Sequence, residues 1–260
     1  MKRFFFGLFL SLLLASAMPA QAGKNNAKSG SGPPQKSKNF IDWVLDFLSI
    51  SYTPGTQKGP ASGVANGQIW VADLRNGSTH PRSLSGSFRS PVFLAGSGDI
   101  LALRGNDVVR ISSADGNARK LYSVDGILKL VGAGSHDPGK VLVLLRNETG
   151  SHPRLGLLAV DAGSIIDLPY DENSSEDLEF VEELEGWSHT YGKNRVYVKR
   201  QTKEALAGTV EWTDVFVSAP GQQALNVSRC DGTNCGQPSM SADGSLLAYV
   251  KENPTDPDSR

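Results

Sequence analysis

The chain has 260 residues, a formal net charge of -1 and two cysteines. Its acids and bases nearly cancel, and nothing in it forms the basic stripe that a nucleic-acid binder needs. The length suits one sizeable domain or two small ones. Helical periodicity is scarce while short strands and turn signals are dense, so an all-β body is expected.

In chain order, the first element is a targeting segment. Lys2 and Arg3 precede an apolar run from Phe4 to Ala15, and Ala20-Gln21-Ala22 gives the small-x-small pattern of a processing site. Residues 1–22 are expected to be a signal peptide cut between Ala22 and Gly23. The apolar run is shorter than the ~20 residues of a comfortable span. Export to the periplasm or beyond is therefore expected, without stable membrane insertion. Residues 23–38 carry four lysines and no apolar run, which predicts a flexible tether. Asn39 can cap a helix whose apolar stripe is Phe40, Ile41, Trp43, Val44, Phe47 and Leu48, with Asp42 and Asp46 opposite. So short a helix is marginal alone and must bury its stripe. It packs either on the domain's own surface or into a partner's groove, with Phe40, Trp43, Val44 and Phe47 as the docking residues. Its acidic polar face argues against a membrane surface. A Pro/Gly linker, Tyr52 to Asn66, closes the segment 39–66.

From Gln68 the chain repeats itself. One half-motif is a short β-like run, an Asp-, Asn- or Gly-rich turn, and a closing Leu or Val. It occurs at Ile69–Leu84, Val108–Leu121, Leu155–Leu168 and Asp214–Val227. A second half-motif, an apolar run, a Gly-bearing turn and a stronger strand, occurs at Ser90–Leu103, Leu130–Leu145, Gly186–Lys199 and Gln237–Val250. Each half predicts two antiparallel strands. The strong strands begin at Ile100, Val141, Arg195 and Leu246, a spacing that suits four-stranded blades. The repeat region opens with an unaccompanied copy of the one half-motif, Ile69–Leu84, and closes with an unaccompanied copy of the other, Gln237–Val250. The two orphans are expected to complete one blade together, pairing Ile69–Leu74 with Leu246–Val250 and removing free sheet edges. The fold expected for 67–251 is thus a β-propeller of about four blades, the alternative being an open arc whose ends a second copy or a further C-terminal part would cover, followed by a disordered tail at 252–260.

The segment Q-P-S-M-S-A-D-G-S-L-L-A-Y-V resembles the P-x-W/F-S-P-D-G-x-x-I-A-Y repeat of TolB-like β-propellers. Pro238, Ser241, Asp243, Gly244, Leu247, Ala248 and Tyr249 fall on that pattern, while Met240 and Ala242 depart from it. I-W-V-A-D-L-R-N-G, from Ile69, is similar to the companion stretch of the same repeats. The resemblance implies propeller architecture. Propellers of this kind occur in periplasmic partner-binding proteins and in non-catalytic domains of prolyl-oligopeptidase-like enzymes, so fold alone does not choose the function.

Chemistry is sparse. Gly186-Trp187-Ser188-His189-Thr190 and Gly132-Ala133-Gly134-Ser135-His136 both lack the closing glycine of a nucleophile elbow. His80, His136, His152 and His189 lie in different loops with no metal-binding spacing; His136-Asp137 and His189 could still meet at one mouth. Asp171–Glu185 holds eight carboxylates. These could hold Ca²⁺, face a basic partner, or form a solvated loop or short helix. Cys230 and Cys235 are expected to form a local disulfide in an oxidising compartment, the alternative being a free thiol pair. No catalytic, cofactor or metal residue is assigned. The function expected is a non-enzymatic scaffold for a protein of the cell envelope. The rivals are a small-ligand or accessory propeller of a hydrolase, and a fragment of a longer propeller protein.

Overall fold

The structure, a computed structural model, describes residues 40–50, 64–83, 86–150, 152–185, 190–191, 194–206 and 208–253. The expected signal peptide, tether, linker 51–63 and Ser188-His189, with the tail from 254, lie outside the described residues.

The described chain is mostly β, in four antiparallel sheets of four strands each. After the helix α1 (Phe40–Leu48) come β1 (Gln68–Asp73) and β2 (Ser78–Pro81). The second sheet runs β3 (Arg89–Phe93), β4 (Ile100–Arg104), β5 (Asp107–Ile111) and β6 (Ala118–Ser123). The third sheet runs β7 (Ile127–Ala133), β8 (Lys140–Leu145), β9 (Arg154–Ala159) and β10 (Ile165–Leu168). After α2 (Ser175–Glu185), the fourth sheet runs β11 (Thr190–Tyr191), β12 (Asn194–Ala205), β13 (Gly208–Ser218) and β14 (Leu225–Asn226). β15 (Cys235–Met240) and β16 (Leu246–Lys251) end the described chain.

The two orphan halves do join. The terminal sheet has the order β15-β16-β1-β2, and β1 pairs β16 from Gln68↔Lys251 to Asp73↔Leu246. Ile69 and Val71 on β1, with Ala248 and Val250 on β16, are fully buried, which fixes the register. Gly67 sits where this sheet meets the second one. Its N–H donates to the Phe88 carbonyl and its carbonyl accepts the Phe88 N–H, both at 2.8 Å. A Cβ here would overlap the Lys251 carbonyl oxygen. Because the obstacle is backbone, no rotamer change relieves it. Gly67→Ala is expected to lower stability by about 2–3 kcal/mol, read as a lower urea midpoint at unchanged slope.

The sheets pack face to face in series. The terminal sheet touches the fourth sheet through β15 with β12 and β13, and the second through β15 and β16 with β3; β3 and β4 then meet β7 of the third. Each interface has its own apolar cluster. Hydrogen bonds lock the joints. Gln237, with φ of 50°, accepts the Ser90 N–H at 2.6 Å and donates to the carbonyls of Val64 and Ala65. Arg89 donates to the carbonyls of Leu128, Ile127 and Gly105, clamping the second sheet to the third, although burial pulls its guanidinium below its usual value. Cys230 and Cys235 form a disulfide, both sulfurs buried, closing the loop before β15.

Sheet three is buried on both faces, which explains why β8 reads K-V-L-V-L-L without alternation. One face meets the second sheet and the other meets the helices. There Phe40, Val44 and Leu48 of α1 and Phe180, Val181 and Leu184 of α2 close over Val131, Leu142, Leu144, Leu155 and Leu157.

Candidate functional site

The turns that follow the first strand of the sheets gather at one end of the molecule. A cavity of about 480 Å³ opens among them. It is lined by Phe93 at the end of β3 and Ala95 beyond it, by Ala133 at the end of β7 with Gly134 and Ser135, by Asn194 at the start of β12, and by Met240 at the end of β15 with Ala242, Asp243 and Gly244. Leu48 and Ser49 at the end of α1 complete the wall. All four sheets and the helix therefore contribute. Its size falls in the usual range of about 300–1,000 Å³ for ligand sites.

Local sequence sets each wall. Ser241-Ala242-Asp243-Gly244-Ser245 builds its turn from its own side chains. Gly244 takes φ of 71° and donates its N–H to the Ser241 carbonyl at 2.8 Å. The Ser241 hydroxyl donates to Asp243 Oδ1 at 2.6 Å, the Ser245 N–H to the same oxygen at 3.1 Å, and the Ser245 hydroxyl to Oδ2 at 2.7 Å. These donors, the Ser241 hydroxyl first, hold the Asp243 carboxyl down at about 2 against an ordinary 3.8. Asp243 is the one charged side chain among the described lining residues.

The helix side is held by a Schellman end. Ser49 stands in the left-handed region at φ 52°, with its N–H on the Asp46 carbonyl and the Ile50 N–H on the Leu45 carbonyl. Its hydroxyl donates to Ser135 Oγ at 2.6 Å, and the Ser135 N–H donates to the Phe47 carbonyl at 2.9 Å. Gly132 and Gly134 make this docking possible. A Cβ on Gly132 would press on Leu48 Cδ2, and one on Gly134 on the Phe47 ring.

The depressed Asp243 value gives a pH test. A group whose folded value lies below its unfolded one adds stability that is full above the unfolded value and is lost as pH falls through the folded one. The stability difference between the parent and Asp243→Asn is expected to be constant above pH 5 and to shrink between pH 4 and 2. Thermal melts across that range read it.

The residues singled out in the sequence fall as follows. Phe40 and Val44 are buried in the chain's own core at 3% and 0% exposure, and Trp43 and Phe47 are half-buried, stacked at 5.4 Å between ring centroids. The surface that α1 covers is thus the chain's own third sheet. The Ser135 hydroxyl donates to the Phe47 carbonyl at 3.2 Å, tying the glycine-rich string to the helix. His136 is exposed in the β7–β8 turn beside the mouth, His80 lies on β2, and His152 Nδ1 stands 3.2 Å from Glu182 Oε1. Among the described residues no three His, Cys, Asp or Glu are grouped to hold a metal ion. The acidic stretch Asp171–Glu185 contains α2, capped by Ser174 Oγ, which accepts the Asp177 N–H at 3.3 Å. Its acids Glu176, Glu179 and Glu182 face solvent while Phe180, Val181 and Leu184 enter the core.

Two features escaped the sequence. One is the helix seat at Gly132 and Gly134, whose glycines were the signal. The other is the length of the β12–β13 hairpin, which runs well past Lys199.

No family model matches the chain, and no curated protein does. Among solved structures, the chain is similar to the crystal structure of TolB from Acinetobacter baumannii. The match has a TM-score of 0.35 and 13% identity, covering 77% of this chain and 47% of that one. The chain thus spans about half the length of that solved structure.

Proposed function

We propose that the chain is an exported, non-enzymatic β-propeller of four blades that binds another protein of the cell envelope. The mouth formed by its strand turns is the binding surface. The propeller assignment is supported by four sheets of identical strand order, one of them assembled from both ends of the repeat region. Export is supported by the buried disulfide, which needs an oxidising compartment, and by the cleavage pattern at Ala22 and Gly23. Among the described residues, the Ser135 hydroxyl donates to the Phe47 carbonyl and accepts from Ser49, neither of them a general base.

One observation carries the binding role: a single cavity lined by every sheet and by α1, with an apolar floor of Leu48, Phe93 and Met240 under a rim of Ser49, Ser135, Asn194 and Asp243. An apolar pocket with few convergent polar groups is the form of a recognition site. A photo-crosslinking side chain at Ala242 is expected to trap one discrete envelope protein in living cells. Ala95→Trp, which narrows the mouth, is expected to abolish the adduct. An unchanged adduct in Ala95→Trp would place binding elsewhere. The cavity's volume of about 480 Å³ favours a second function, a small-ligand or accessory propeller. A small molecule that purifies with the protein and is lost on Ala95→Trp, with no protein adduct, would establish it. Hydrolysis of chromogenic ester or peptide substrates by the purified protein would overturn the non-enzymatic assignment.

A further inference from the structure

The fourth sheet ends in an arm. β11 pairs only with Asn194 and Arg195, and β14 only with Phe216 and Val217, whereas β12 and β13 stay paired out to Ala205↔Gly208. Among the described residues, Arg200–Ala205 and Gly208–Trp212 therefore form a ribbon of two strands with both outer edges open. At ~3.3 Å per residue the six residues from Arg200 project roughly 20 Å. All of its side chains are exposed except the half-buried Gln201 and Trp212, and Leu206 at the tip is wholly in solvent. An isolated ribbon of two strands is marginal in water, so this geometry is suited to gaining a third strand.

The two faces differ in charge. Strand alternation puts Arg200, Thr202 and Glu204 with Thr209 and Glu211 on one face. There the charges are internally matched, with Arg200 3.6 Å from Glu211 and Thr209 Oγ1 donating to Glu204 at 3.0 Å. The other face carries Lys199, Gln201, Lys203, Val210 and Trp212, continuing from the stacked pair Tyr197–Phe216. Arg195 lies over the Tyr197 ring and Lys199 over Phe216. The one acid on that face, Asp214, is buried and accepts hydrogen bonds from Trp212, Asn226, Ser228 and Cys230. This face is cationic and apolar, with no exposed acid.

We propose that the arm receives an extended, acid-bearing segment of a partner protein, which adds as a strand to the open edge of β12 and lays acidic side chains over Lys199 and Lys203. Main-chain bonds would supply affinity and the alternate side chains selectivity. A second copy of the chain does not fit. Antiparallel pairing of two β12 edges puts Lys199 and Lys203 of both copies on the same side of the joined sheet, with no exposed acid there to offset them, and edge lysines of this kind oppose self-association. The arm is separate from the mouth, so either site can fail without the other.

The test is fluorescence anisotropy on the purified protein with a labelled eight-residue peptide of alternating glutamate and valine. Saturable binding is expected. The double variant K199E/K203E should weaken it about tenfold, while it still unfolds in one cooperative urea transition. N-methylation of alternate peptide amides, which blocks strand addition but keeps the charge, should remove binding. Ala95→Trp at the mouth should leave it unchanged. The proposal is overturned by any of four results: no saturable binding, an unaltered affinity in K199E/K203E, an equal affinity for the N-methylated peptide, or equal binding to phosphatidylglycerol vesicles.

Discussion

Asp214→Ala is expected to destabilise the fold by about 3–5 kcal/mol. Asp214 is 1% exposed and stands where the fourth sheet meets the disulfide loop. Its Oδ1 accepts the Ser228 hydroxyl at 2.8 Å and the Cys230 N–H at 2.7 Å. Its Oδ2 accepts Trp212 Nε1 at 3.0 Å and Asn226 Nδ2 at 2.9 Å. One side chain thus satisfies four donors: one on β13, one on β14 and two in the segment that leads from β14 to β15. Alanine leaves those donors without this acceptor, and the two buried ones, on Ser228 and Cys230, each cost about 1–3 kcal/mol before relaxation. Asp214→Asn separates polarity from volume. It keeps the shape, yet its amide nitrogen must face two donors whichever way it is turned. The expected order of urea midpoints is therefore parent well above Asn, with Asn only slightly above Ala. An Asn variant as stable as the parent would show that volume, and not acceptor count, holds the loop. Beside Asp214 on β13, Thr213 donates its hydroxyl to the Cys235 carbonyl at 2.9 Å, so loosening this corner reaches β15 directly.

The sheets were legible in the sequence because their signal is local and repeated. Ile69–Leu84 and Gln237–Val250 each carry a half-motif that cannot bury its apolar face alone, and their order along the chain forces the pairing of β1 with β16. Ser241, Asp243 and Gly244 were legible as a turn for the same reason, since their hydrogen bonds lie within five residues. What depends on distant partners was not. The stripe of Phe40, Val44 and Leu48 announced a buried face without naming its seat, because the seat is made by absent side chains at Gly132 and Gly134. In Asp171–Glu185 the density of carboxylates hid Phe180, Val181 and Leu184, which α2 turns onto one side. The arm was missed because Arg200–Glu204 is polar on both faces, and a strand without a buried face leaves no alternation of burial to read. The cavity itself was foreseen only as a mouth where loops meet. Which residues line it follows from how the four sheets are placed, and no single repeat contains that information.

The seat of α1 yields the second large effect. Val44→Asp is expected to lower stability by about 3–4 kcal/mol. Val44 is 0% exposed, at the centre of the cluster that joins α1, α2 and the third sheet. A carboxylate there either remains buried, at a desolvation cost of many kcal/mol, or forces the helix off its seat. The second route is cheaper. It uncovers Phe40, Val44 and Leu48, each worth about 1.5–3 kcal/mol when buried, and is partly offset by the chain entropy that an undocked helix regains. The helix also lends Leu48 and Ser49 to the mouth, so undocking removes one wall of the cavity. Three readouts should move together: the urea midpoint falls, Trp43 emission shifts to the red as its stack with Phe47 opens, and the Ala242 photo-adduct weakens. Val44→Ala, which removes volume without adding charge, is expected to cost about 1–2 kcal/mol and to leave emission and adduct in place. If Val44→Asp melts like the parent, α1 does not sit on the third sheet in solution, and the mouth is walled by the turns of the four sheets with no helix beside them.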